Sequence, residues 1–477
     1  MKLHLITAEG EKTRWMRRGR LIRFPQLTIP LLAALTPPGV EIDHTDEIVR
    51  PVTCSRAHDL VGITLTTCAA PHAYDLADEF RALGAPVVLG GPHPSLLPQE
   101  ALGHADAVCV GEAEGVWPRI VDDFRRGRLG GIYRAVSPPS LAKLPWARRD
   151  LIEGRAYGRG VTIATRGCPH ACGYCMLRDF YGPTYRCRPV EEVAAEVASI
   201  REKAVIFWDD NIAADRTYAA ALFRGLAPLG KWWTSQSTID VAFDTELVAL
   251  AAESGCKALF VGLESISAES LAETNKRFNR PERYREAIGR LHDAGIAVQA
   301  GLVFGFDHDD PTVFERTVEF LDRAAVDVAS IGSFTPFPGT STFARLEREG
   351  RILTRDWAKY DARTDVVFRP RLMTPEQLQS GVEWATRQFY SSGSIARRLS
   401  ASRTGLWWNL PRNLGYKFAF DKLGRPGRNP SEDGNSRRDW ADDGRDFVEF
   451  VGPPESSSAE IASESAACEA LGHRIRE

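Results

Sequence analysis

The chain has 477 residues, enough for about three domains, and its 43% hydrophobic and 26% charged content suits a soluble protein with packed cores. A formal net charge of −3 excludes a global basic field for nucleic acid or anionic lipid. No apolar run reaches the roughly 18–20 residues of a membrane span.

The opening Met1-Lys2-Leu3-His4-Leu5-Ile6 reads as a strand rather than a signal peptide, so a cytoplasmic location is expected, with no membrane or nucleic-acid partner. Strand candidates at 2–7, 40–46, 60–67, 86–90 and 106–110 alternate with helical patterns. In 72–83, for example, Tyr74, Ala77, Phe80 and Leu83 recur at helical spacing. The alternation predicts a Rossmann-like parallel sheet over residues 1–135. Ligands of such sheets sit at the carboxyl ends of the strands. There, Gly90-Gly91 ends a buried strand and lets a ligand approach the backbone closely. Residues 128–158 carry Gly130-Gly131, Pro138-Pro139 and Pro145 and read as a linker, with 136–158 between the domains.

A second rhythm begins at Val161, with strands expected at 161–166, 204–209, 231–237, 257–263, 297–304 and 328–334. Helices fall between them, including 190–201 and 245–254, each with an apolar stripe. Six strand–helix repeats predict a partial (βα)6 TIM-type barrel over 159–345 rather than a closed eight-stranded one. A helical appendage follows over 346–423. The polar stretch 424–477 is expected to be a disordered tail. The fold class is therefore α/β throughout, with this C-terminal helical addition.

Nine cysteines are an odd number in a long chain, which argues against a disulfide framework. Three of them share the run Gly167-Cys168-Pro169-His170-Ala171-Cys172-Gly173-Tyr174-Cys175. Three thiolates at this spacing can hold three irons of an iron–sulfur cluster and leave the fourth open to a small molecule. A structural zinc would need four ligands in a closed shell, and His170, inside the loop, is poorly placed to be the fourth. Of the other cysteines only Cys187 is near enough in sequence to join them; the rest read as small hydrophobes or surface thiols. Each remaining unusual motif follows a barrel strand: Asp209-Asp210-Asn211, Gly262-Leu263-Glu264-Ser265, Gly305-Phe306-Asp307 and Thr335-Pro336-Phe337-Pro338-Gly339-Thr340. The carboxyl rim is where barrels of this kind do chemistry.

The cysteine run resembles the Cys-x3-Cys-x-aromatic-Cys signature of the radical SAM superfamily, with Tyr174 in the aromatic slot. The resemblance implies a [4Fe–4S] cluster on Cys168, Cys172 and Cys175. Its open iron would be chelated by S-adenosylmethionine, which is cleaved to a 5′-deoxyadenosyl radical. By position, Asp209, Asp210 and Asn211 would bind the methionine end, unless they only cap a helix. Glu264 would bond the ribose hydroxyls. Gly301 to Gly305 would meet the adenine or merely permit packing. Arg186 and Arg188 would face the methionine carboxylate or the solvent.

The first domain resembles the cobalamin-binding domain of cobalamin-dependent radical SAM enzymes. The likeness runs through Phe24-Pro25-Gln26-Leu27-Thr28, Leu32-Ala33-Ala34-Leu35, Val61-Gly62-Ile63-Thr64, Leu89-Gly90-Gly91-Pro92-His93-Pro94 and Asp106 to Glu114. It implies cobalamin contacts at Gly90, Gly91, Gly111 and Glu112, while Thr64, Thr66 and Thr67 at the end of the third strand would bond its nucleotide tail or stand in solvent. His93 would lie against the corrin or pack locally. The histidine-on motif Asp-x-His-x-x-Gly is missing; the nearest string, Asp43-His44-Thr45-Asp46, has the wrong spacing. The implied function is C-methyl transfer to an unactivated carbon of a small molecule of specialised metabolism, with an electron donor such as flavodoxin or ferredoxin. The alternatives are a cobalamin-binding radical oxidoreductase or cyclase that does not methylate, a first domain that has lost cobalamin, and a non-catalytic iron–sulfur protein. Trp232, Trp233, Gln236, Trp384, Trp407 and Trp408 would shape the substrate cavity or pack in the core.

Overall fold

A computed structural model describes residues 1–16, 25–152, 157, 159–363 and 365–423. The predicted tail, Phe24 and part of the predicted linker lie outside the described residues.

The first sheet contains β1 (Lys2–Thr7), β2 (Glu41–Asp46), β3 (Leu60–Thr64), β4 (Val87–Gly90), β5 (Ala107–Val110) and β6 (Gly131–Arg134). All pairs are parallel, in the order β2-β1-β3-β4-β5-β6. Strand order reverses beside β1, so the topological switch point lies between β1 and β3. Both faces of the sheet are covered, as a parallel sheet requires. Ile6, Val61, Ile63 and Leu89 pack toward the helix Ala70–Ala82. Leu3, Leu5, Leu60 and Val88 pack toward the helices Thr28–Leu35 and Trp117–Arg125. β6 corrects the linker reading of 128–158. Its Gly130-Gly131 approach resembles a break, yet Gly131–Arg134 pairs along β5.

The second sheet begins with β7 (Gly160–Thr162). A short antiparallel ribbon of β8 (Thr165–Gly167) and β9 (Tyr185–Cys187) leaves it. The sheet continues through β10 (Ala204–Phe207), β11 (Trp232–Ser237), β12 (Cys256–Glu264), β13 (Ala297–Phe304) and β14 (Val328–Ser333). These strands pair in parallel and in chain order from β7 to β14. Among the described residues the two edges do not meet, so the expected open six-stranded barrel is observed. The predicted strand 161–166 is split in two, β7 and β8.

The C-terminal helices are Pro375–Phe389, Ser392–Ala401 and Leu406–Leu423. The first starts in a capping box, Thr374 with Gln377. The last crosses the amino ends of the barrel strands. Asn409 donates to Asp327 just before β14 at 2.7 Å, and Arg412 donates to Gln299 of β13 at 2.5 Å. Trp407 lies 5.1 Å from Trp232 there, while Trp233 is buried between Phe207 and Phe223 and Trp384 is exposed. None of these tryptophans stands at the carboxyl rim, so the cavity-shaping alternative has no support from their placement. The segment after the barrel also returns to the first domain, where Trp357 Nε1 donates to Glu100 at 3.0 Å. The described residues form one compact unit.

Candidate cofactor sites at the strand ends

Asp209 explains the split strand. Its carboxylate, fully buried after β10, accepts from the amides of Ala164 at 3.1 Å and Thr165 at 2.5 Å and from the Thr165 hydroxyl at 2.6 Å. These bonds end β7 and turn the chain outward into β8. Burial pushes the Asp209 carboxyl up to about 7 against the pull of its donors. Asp209 is therefore committed to the backbone rather than open to an ammonium group. Asp210 accepts from the Gly167 amide at 3.0 Å and lies in the field of Cys168 and Cys175. Asn211 is buried, with its side chain in hydrogen-bond reach of the Cys168 thiol and the Thr238 hydroxyl.

The cysteine loop spans the end of the β8–β9 ribbon and is pinned by distant rim residues. The Gly173 amide donates to Thr274 O at 3.0 Å. The Gly173 carbonyl accepts from the Thr342 hydroxyl at 2.7 Å and the Ser341 hydroxyl at 3.1 Å. Asn275 donates to Ala171 O at 3.0 Å. His170 stacks on Phe278 at 3.9 Å and does not turn toward the thiols as a fourth ligand. Tyr174 packs edge-on against Phe306 and Phe334 and reaches Glu264. Cys168, Cys172 and Cys175 face one another, whereas Cys187 stands on β9 opposite Thr165, nearer Asp209 and Asp215. Among the described residues no three His, Cys, Asp or Glu side chains converge on one ion. A cluster does not need such convergence, because each thiolate takes a different iron; the donor set fits one with an open iron.

Glu264 ends β12 at φ +64, a left-handed conformation rare for a side-chain-bearing residue. The β12–β13 register shifts at this point. Its carboxylate meets Lys276 Nζ at 2.6 Å, and the pair is nearly buried beside the cysteines. Gly262 makes the room: a Cβ there would stand 2.2 Å from Glu264 Oε1. Asn279 braces the turn by donating to Gly262 O at 2.7 Å. Sequence reasoning missed Lys276 and Asn279, which sit in a loop without periodicity or motif. Gly301 lies under the Phe260 ring, a packing role. Gly305, at φ +105, turns the chain so that Asp309 can accept its amide at 3.0 Å. Arg188 is buried on Glu196 at 2.5 Å, which removes the solvated alternative for it, and Arg186, part-buried, is held by Glu112 at 2.5 Å.

A cavity of about 280 Å³ opens at the carboxyl ends of β3, β4 and β5. Thr64, Gly90, Gly91, Gly111 and Glu112 line it from the first domain, and Arg166, Tyr181 and Trp208 close it from the barrel side. Gly91 has φ +100, and a Cβ there would lie 2.7 Å from Leu65 O, so the backbone passes where a side chain cannot fit. Apolar walls deeper in, including Ile29, Leu32 and Trp117, suit one end of a large cofactor. Thr66 and Thr67 do not line this cavity; Thr64 does. His93 is not there either. It is fully buried on the other face of the sheet, 3.1 Å from Glu100 and 5.5 Å from Trp357, and burial lowers its pKa. Local packing is the reading its placement favours.

Residues 162–321 match the model of the radical SAM superfamily, and residues 34–121 match that of the B12 binding domain. A bacteriochlorophyllide d C-12(1)-methyltransferase of Chlorobaculum tepidum is 31% identical over 369 residues, covering 74% of this chain and 79% of that protein. An anaerobic magnesium-protoporphyrin IX monomethyl ester cyclase of Cereibacter sphaeroides is 26% identical, over 70% of this chain and 60% of that protein. Among solved structures, the radical S-adenosylmethionine methyltransferase TsrM of Kitasatospora setae, with cobalamin and a [4Fe–4S] cluster bound, superposes with a TM-score of 0.61. It covers 84% of this chain and 90% of its own at 17% identity, a likeness of fold. The chain belongs to the cobalamin-dependent radical SAM family, whose enzymes work with a [4Fe–4S] cluster, S-adenosylmethionine and cobalamin.

Proposed function

We propose that this protein is a C-methyltransferase that places a methyl group on an unactivated carbon of a small molecule. One observation carries the reading: the two cofactor sites share a wall. Arg166, two residues before Cys168, lines the first domain's cavity. When bound, the cluster, S-adenosylmethionine and cobalamin together supply a carbon radical and a transferable methyl group. The protein's task is positioning and exclusion of water. Cys168, Cys172 and Cys175 would hold the cluster. Glu264, steadied by Lys276, would accept from the ribose diol, and Asp210 would face the methionine ammonium. Gly90, Gly91, Gly111 and Thr64 would cradle one end of cobalamin.

Methyltransferase-named relatives outweigh the cyclase alternative. We place the enzyme in the cytoplasm and pair it with a low-potential donor such as flavodoxin or ferredoxin. Support comes from eight free cysteines among the described residues and from the electron the reaction needs. Among the described residues no helix is long and apolar enough to cross a membrane. The test is anaerobic turnover with methyl-labelled S-adenosylmethionine. A product heavier by one labelled methyl is expected. Formation of 5′-deoxyadenosine with an unmethylated product would establish the non-methylating alternative, and absence of 5′-deoxyadenosine would refute radical chemistry altogether.

A further inference from the structure

The ribbon that carries the cysteine loop is not self-sufficient. β8 and β9 contribute three residues each, and Arg166 pairs directly with Arg186 across them. A two-stranded ribbon is marginal in isolation, and like charges directly opposite destabilise it further. The compensation comes from the first domain. Glu112 bridges both arginines, to Arg166 at 2.6 Å and to Arg186 at 2.5 Å. Glu114 takes the other nitrogen of Arg166 at 2.5 Å. All four side chains are largely withdrawn from water, at 5–17% exposure, so salt screens them little. Three of them, Glu112, Glu114 and Arg166, are also wall residues of the cavity at the ends of β3 to β5. The same carboxylates therefore meet whatever fills that cavity and hold the stem of the cluster loop.

We propose that this four-residue ion cluster couples the two cofactor sites, so that filling the first domain's cavity sets the position of the cluster loop and with it the affinity for S-adenosylmethionine. The proposal rests on the functional reading above. Glu112, Glu114, Arg166 and Arg186 are positioning residues: they act on the cluster through the β8–β9 stem. By linkage the effect is reciprocal, and S-adenosylmethionine changes cobalamin affinity by the same factor.

The experiment uses the full chain with its cluster reconstituted without oxygen. Affinity for S-adenosylmethionine is measured by the change it causes in the electron paramagnetic resonance of the reduced cluster, with and without saturating hydroxocobalamin. The expected change in affinity for the native protein is about fivefold or more. In Glu112→Gln and Glu114→Gln this factor should fall below about twofold while iron content stays native. Glu246→Gln, which alters an exposed ion pair on the barrel, should keep the full factor. Glu114→Gln leaves Glu112 bridging both arginines, so it decides the matter should Glu112→Gln fail to hold the cluster. Native protein that binds both ligands independently overturns the proposal alone, as do variants that keep the full coupling. Protein that binds neither ligand overturns the functional reading and this proposal with it.

Discussion

Replacing Gly262 by alanine isolates the Glu264–Lys276 pair. Gly262 has no left-handed φ, so alanine meets no backbone penalty there. Its nearest obstacle is the pair itself: the new Cβ would lie 2.2 Å from Glu264 Oε1 and 2.8 Å from Lys276 Nζ. A comfortable nonbonded contact is about 3.5 Å, so the carboxylate must retreat by about 1 Å. Both atoms are the tips of flexible side chains, and the melting temperature should move by no more than about 3 °C. Function is less forgiving. A hydrogen bond to a charged group contributes about 1.5–3 kcal/mol, which at 1.4 kcal/mol per decade is roughly a 10- to 100-fold loss of S-adenosylmethionine affinity. Isothermal titration of the reconstituted, anaerobic protein measures it. Native iron content together with a dissociation constant within twofold of the unaltered protein would show that Glu264 does not touch the nucleotide, and the reasoning would be refuted.

Gly91→Ala, with φ +100 and backbone 2.7 Å from the new Cβ, should lower hydroxocobalamin retention at least about tenfold while iron content stays native; absorbance after gel filtration reads this. Arg188→Met should destabilise the fold by about 2–4 kcal/mol in urea unfolding, because the buried Glu196 keeps only Arg149 and the Thr162 hydroxyl as partners. A tenfold loss of S-adenosylmethionine affinity without destabilisation would return Arg188 to the binding site. His4, buried and lowered to about 4, refuses a proton that the unfolded chain accepts below 6.5. Stability should therefore fall as pH drops from 6.5 to 4, by up to about 3 kcal/mol from this residue, and His4→Gln should flatten that part of the urea-unfolding profile.

The cysteines and Tyr174 were readable because cluster binding demands fixed local spacing, and both sheets because parallel strands leave unbroken apolar runs such as Val87-Val88-Leu89. β6 was hidden by the glycines that begin it. The break between β7 and β8 was hidden for a different reason: its cause, Asp209, lies 44 residues from Thr165 and acts through burial. Arg186 looked available because its partner Glu112 is 74 residues away in another domain. His93 seemed to border the ligand because it follows Gly90-Gly91, yet the short helix Pro92–Leu96 turns it to the opposite face of the sheet. Lys276 left no trace, since a loop lysine acquires meaning only from the carboxylate that the fold brings to it.

The pins on the cysteine loop also set an order of events in the cell. The Gly173 carbonyl is gripped by Thr342, which is 169 residues further along the chain. A ribosome at about 5–20 residues per second needs roughly ten seconds or more to make that stretch. During that interval the three thiols are already synthesised but not yet held in place. Metal delivery to a finished nest must therefore wait for translation to pass the sixth barrel strand, and thiols reached earlier by oxidants or stray ions would have to be protected or repaired before maturation.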